Sequence, residues 1–309
     1  GTGHQWFAQR IRDDVYFASG NQGRLRFYDP EAQDQLASPT LVEFAEKNGF
    51  YDPAKGPFDF AAAYTRNDER DRIYNDPRVW QIQKLFNPSV IQPVDDGREF
   101  AVFMKPERKL SVEDAKRVMR DHFDGSEHDP YSNGLNGKEP WRPVSVFRTY
   151  EAHVVQVRPW MPHAIGDVIY IAFGMADLSC FMPFYQGLES VPEHYQIGTD
   201  QADSASVYWK FRKLQTLVMT NYEVYAPRVK KAFAEQEQAL SAKQAKLEEE
   251  YMALVKTDKE AATALLQKVN LEMLAETEAL CEKLTNQVFT LATETIQKDI
   301  FFANRSKKD

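Results

Sequence analysis

Past Ser204 the residue pattern changes period, and that change constrains the fold more than any single motif. Phe233, Leu240, Leu247, Tyr251 and Leu254 recur at steps of seven, four and three residues, and Leu266, Val269, Met273, Leu280 and Leu284 follow the same rule. Such spacing stacks apolar side chains on one face of a helix. Thr257-Asp258 reads as a turn and N-cap between two antiparallel helices. The apolar period is not held at 3.5 and Ala fills many positions, so helices packed on a globular body are expected rather than a coiled coil. The composition shift near Tyr222 predicts two regions, 1–221 and a helical 222–309.

The first region carries short apolar runs broken by Asp29-Pro30, Asp52-Pro53 and Asn87-Pro88. Runs rich in β-branched and aromatic residues predict strands at Val15–Ala18, Leu25–Tyr28, Glu99–Met104, Val144–Val157, Asp167–Phe173 and Ser179–Phe184. Helices are predicted over Ser38–Asn48, Val79–Phe86 and from Ser111 to His122, with Ser111 as N-cap. The class is therefore α+β.

Charge and cysteine usage narrow the functions. A net charge of −8 argues against a phosphate-backbone partner. No apolar run approaches the roughly 18–20 residues of a membrane helix. Cys180 and Cys281 form no metal or redox motif, which points to a reducing, cytoplasmic setting. Both lie in apolar surroundings, where a buried, inert thiol is the expectation. The six His show neither His-x-x-x-His nor His-Glu-x-x-His spacing, so no zinc site is supported.

Three segments could carry chemistry. Gly20-Asn21-Gln22-Gly23 suits a tight turn, and the Asn21 amide could equally donate to a developing oxyanion. In the run 145–158, alternation would set Arg148, Tyr150, Gln156 and Arg158 on one face, and Thr149, Glu151, His153 and Val155 on the other. Arginines on such a face need carboxylate partners, from the protein or from a substrate. Asp129-Pro130-Tyr131 and Asn133–Gly137 read as a loop within reach of a ligand.

Taken in order, several segments resemble the C69 dipeptidases, a cysteine branch of the N-terminal-nucleophile (Ntn) hydrolases. They run from Gly3-His4-Gln5-Trp6-Phe7-Ala8 and Asn21-Gln22 through Gly49-Phe50-Tyr51-Asp52-Pro53, Arg78-Val79-Trp80 and Lys84–Ser89. Arg120-Asp121-His122, Asp129-Pro130-Tyr131, Arg148-Thr149-x-Glu151-x-His153 and Gln156-x-Arg158-Pro159 continue the series to about Tyr225. The resemblance implies a four-layer αββα sandwich, cleavage of dipeptides without metal or cofactor, and homo-oligomers. It also implies an N-terminal Cys nucleophile whose own α-amino group is the base. Unperturbed pKa values of about 8.5 and about 7.7–8.0 make that proton transfer nearly balanced. This Cys is expected upstream of Gly1, in a missing N-terminal segment or companion chain. Under the resemblance Asn21, Arg148 and Arg158 are the catalytic candidates, and His153 and Tyr131 contact substrate. Ala152 stands where the family has a Ser before His153. A catalytically inactive Ntn-fold binding protein and an aromatic-rich solute-binding protein are the alternatives.

Overall fold

The computed structural model describes residues 4–66, 68–132 and 139–305. It divides into two units, one of residues up to Ser111 with Glu139–Pro143, the other made of the rest. Tyr222 thus lies inside the second unit, just after one helix and at the start of the next. The reason is burial: Phe233, Leu240, Leu247, Leu266 and Met273 share one core with Val168, Ala172 and Met182 of the preceding sheet, so the helices and the sheet cover one another.

In the first unit the strands are short. β1 (Phe7–Gln9) pairs antiparallel with β3 (Gln35–Ala37), and β2 (Tyr16–Phe17) with β4 (Phe103–Met104). Leu25–Tyr28, predicted as a strand, contributes one bridge, Phe27 to Asp59. α1 (Leu41–Lys47) ends at Gly49, whose φ of 72° is the left-handed closure that glycine favours. α2 (Phe60–Tyr64) is capped by the Asp59 carboxylate, and α3 (Asp71–Tyr74) leads into α4 (Asp76–Phe86). α4 starts three residues earlier than the apolar pattern suggests because Asp76-Pro77 initiates it. Buried Arg24 ties this unit together, its guanidinium donating to the carbonyls of Ala18 (2.5 Å), Phe100 (2.8 Å) and Ala101 (3.0 Å).

The second unit holds an antiparallel sheet of β5 (Glu151–Val157), β6 (Asp167–Phe173) and β7 (Met182–Tyr185), in that order. Val154 lies opposite Tyr170, and Val168 opposite Tyr185. Val154, Val168, Tyr170 and Ala172 face the core, while Glu151, His153, Val155, Val157 and Ile169 face outward and are exposed. α5 (Val112–Arg120) packs near β5, its buried Lys116 amine reaching Glu113 and lying over the Tyr170 ring. A short α6 (His163–Gly166) precedes β6. α7 (Val207–Met219), the 33-residue α8 (Tyr222–Leu254) and the 47-residue α9 (Lys259–Arg305) follow.

Polar side chains from these helices complete the sheet's backbone. Asn270 donates to Pro183 O at 2.8 Å, and Gln215 to Phe173 O at 2.9 Å. Gly174, at φ 73°, leaves room for Gln215: a Cβ there would sit 2.2 Å from its Oε1. Asp258 caps α9 by accepting from Ala261 N at 2.9 Å, as the Thr257-Asp258 turn predicts. Val144–Tyr150 is not strand. It folds into turns whose carbonyls are taken by side chains, with Arg212 donating to Phe147 O and Thr149 O. Among the described residues no sheet exceeds three strands, and no helix is long and apolar enough to cross a membrane.

Candidate active site

Asn21 sits in the loop after β2, and the junction of α3 and α4 fixes it. Its backbone N–H donates to Asn75 Oδ1 at 2.8 Å. Arg78, one turn further along, spreads its guanidinium over three acceptors: Nη1 to Asn21 Oδ1 (2.9 Å), Nη2 to Asn75 Oδ1 (2.6 Å) and Nε to Tyr74 O (2.7 Å). Asn75 Nδ2 in turn donates to Asp71 Oδ1. Gln22 Nε2 donates to Asp76 Oδ1 at 3.0 Å. Asn75, Asp76 and Arg78 are all buried. The loop approaches so closely that a Cβ on Gly20 would lie 2.9 Å from Asn75 Oδ1. One added to Gly97 would lie 2.1 Å from Asp76 Cγ.

This geometry assigns the Asn21 amide. A guanidinium can only donate, so the oxygen faces Arg78 and Nδ2 is left without a partner among the described residues. Burial, and then the like charge of Arg142, bring Arg78 down to about 10, still cationic at neutral pH. Asn21 lines a cavity of about 360 Å³ with Gln22, Tyr64, Thr65, Tyr74 and Arg142. Among the described residues its lining holds no thiol and no imidazole. The arrangement can orient and stabilise a polar or anionic group.

The remaining sequence-predicted residues belong to the second unit. Arg148 is exposed in a turn, off the strand that was expected to carry it. Arg158 follows β5 and makes a two-pronged pair with Glu248 of α8 at 2.8 and 2.7 Å, with Tyr185 OH adding 2.8 Å to the same carboxylate. Its partner is therefore a protein carboxylate. His153 lies on the outward face of the sheet, Nδ1 at 3.1 Å from Glu151, and lines a cavity of about 260 Å³ with Glu151, Thr149 and Met119. Tyr131 is buried, its hydroxyl donating to Ser145 O and accepting from Phe147 N, each at 2.9 Å. Residues 133–137 lie outside the described residues.

A second cluster has no spacing signal in the sequence. His122, 1% exposed, meets Asp129 Oδ1 through Nδ1 at 2.9 Å, and Tyr222 OH (3.0 Å) and Asp177 Oδ2 (3.5 Å) through Nε2. Lys230 pairs with Asp177 at 2.7 Å. Burial alone would disfavour the charged ring, but the hydrogen bonds to Asp129 and Asp177 outweigh it and hold His122 up to about 9. His122, Asp124 and Asp129 can each bring a ligand atom within 4.8 Å of the others, yet both imidazole nitrogens already have partners. The only hints in the chain are Arg120-Asp121-His122 and Asp129-Pro130-Tyr131.

Neither cysteine resembles a nucleophile. Both are fully buried; burial pushes the Cys180 thiol well up and Cys281 to about 12, which suppresses the reactive thiolate.

Comparison with known proteins places these observations. The family model of peptidase family C69 matches residues 1–235. A probable dipeptidase of Salmonella dublin is 52% identical over 202 residues, covering 65% of this chain and 46% of that protein. A probable dipeptidase of Latilactobacillus sakei is 31% identical over 244 residues, covering 78% of this chain and 50% of the relative. A dipeptidase of Bifidobacterium longum is 28% identical over 235 residues, covering 70% and 43%. The chain thus spans about half the length of the curated relatives it matches. With the family model matching most of the chain, this protein belongs to peptidase family C69.

Proposed function

We propose that the chain is part of a dipeptidase in which Asn21 Nδ2 donates to the oxyanion of the scissile amide. The observation that carries this reading is the Arg78–Asn21 hydrogen bond, which fixes the amide with its donor side free. A preorganised donor of this kind acts in the transition state, where charge develops on the carbonyl oxygen. Dipeptides as substrates follow from the names of the relatives.

The nucleophile in this proposal is an N-terminal cysteine outside the present sequence, because Cys180 and Cys281 are sealed in the core. Its thiol adds to the carbonyl carbon while its own α-amino group takes the proton. That proton then passes to the leaving amine as the C–N bond breaks, and water hydrolyses the thioester. The αββα sandwich belongs to the same proposal. In its support, β5 has one unpaired edge among the described residues and an outer face exposing Val155 and Val157. A further segment or companion chain would cover that surface. Homo-oligomers and a cytoplasmic setting complete the reading; the two free thiols fit the latter.

The test uses the full-length protein carrying Cys180→Ala and Cys281→Ala. It is expected to release free amino acids from dipeptides and to lose that activity on thiol alkylation, with the adduct on a cysteine outside these 309 residues. Hydrolysis that survives alkylation, or that disappears with the two substitutions in a folded protein, contradicts the proposal.

A further inference from the structure

Two residues that line the Asn21 cavity carry buried polar atoms without hydrogen-bond partners. Among the described residues, five buried side-chain atoms lack a hydrogen-bond partner, and two of them, Arg142 Nε and Gln22 Oε1, belong to residues lining this cavity. Native interiors hold few such atoms, so two beside one cavity ask for an explanation. Gln22 must turn its Nε2 toward the Asp76 carboxylate, which leaves Oε1 as the open acceptor.

Arg142 is held in place without being neutralised. Its backbone N–H donates to Ile73 O at 3.1 Å, and its guanidinium lies over the Tyr74 ring with Cζ 5.6 Å from the centroid. The guanidinium has neither hydrogen bond nor ion pair among the described residues. The carboxylates on the same wall are already engaged: Asp71 accepts from Asn75, and Asp68 pairs with Arg66 at 3.6 Å. The like charge of Arg142 acts on Arg78. A planar anion between these groups would meet a fork of donors and relieve that repulsion.

Resting on the dipeptidase reading of this cavity, we propose that Arg142 binds the C-terminal carboxylate of the dipeptide whose scissile carbonyl lies at Asn21. Arg142 is then the residue that restricts the enzyme to peptides ending one residue beyond the cleaved bond, because a longer chain has no carboxylate at that distance.

The experiment compares a dipeptide with its C-terminal amide on the full-length protein. Wild type is expected to favour the free acid by about 100-fold in kcat/KM. Arg142→Ala brings that ratio toward one by raising KM for the acid, and Arg142→Lys restores part of it. Wild-type protein that cleaves acid and amide equally overturns the subsite and leaves the dipeptidase reading intact. So does an Arg142→Ala protein, with an unchanged melting curve, that keeps the acid preference. Wild-type protein that cleaves neither substrate overturns the dipeptidase reading, and the subsite with it.

Discussion

The His122 cluster makes stability depend on pH in a definite direction. His122 is 1% exposed and bonded to Asp129 and Tyr222, with Asp177 3.5 Å away; Lys230 faces the same Asp177, and Asp124 faces Lys230. Its folded pKa of about 9 lies above the unfolded value of 6.5. A group raised in this way stabilises the fold fully below the unfolded pKa and loses that contribution as pH rises through the folded one. The difference, at about 1.4 kcal/mol per pKa unit, corresponds to about 3 kcal/mol between pH 6.5 and 9.5. Urea unfolding followed by tryptophan fluorescence, run across that window for the wild-type chain and for His122→Gln, isolates it. The wild type should lose about 3 kcal/mol more than the variant on going to pH 9.5. Parallel pH profiles for the two proteins would refute the idea that the buried ring is an imidazolium locked between carboxylates.

Three other expectations follow from the packing and the site. Arg78→Lys keeps the charge but loses the fork over Asn21, Asn75 and Tyr74, and should lower kcat about 10–100-fold with a smaller change in KM, read in steady-state hydrolysis. Gly97→Ala drives a methyl to 2.1 Å from Asp76 Cγ and should cost about 1–3 kcal/mol in chemical denaturation. Arg158→Ala leaves the part-buried Glu248 carboxylate with the Tyr185 hydroxyl as its hydrogen-bond partner among the described residues. It should destabilise the second unit by about 3 kcal/mol, while activity per folded molecule stays near wild type.

What the sequence disclosed and what it withheld follow from the range of the interactions. β6 matches its predicted bounds, Asp167–Phe173, because its alternation is read by one core face and a paired strand on each side. The α8–α9 turn was legible because Asp258 caps locally. Val144–Tyr150 was misread as strand: its β-branched residues fit one, but Arg212, more than 60 positions away, claims the carbonyls. Asn21 was visible as a loop amide, whereas its fixing by Arg78 spans 57 positions and has no local signature. For Arg158 a protein and a substrate carboxylate both stayed open, because its partner, Glu248, is 90 positions away within a run of glutamates. His122 shows the same limit, since Asp177 and Tyr222 reach it only after the sheet and helices have assembled.

The most direct test of the central claim is kcat for Asn21→Ala in the full-length protein, with dipeptide at saturation. If the Asn21 amide stabilises the oxyanion, kcat falls about 100–1,000-fold while the melting temperature and KM change little. An Asn21→Ala protein that turns over at the wild-type rate would contradict the account, and the Arg78-held loop would then serve only to join α3 and α4 to the rest of its unit.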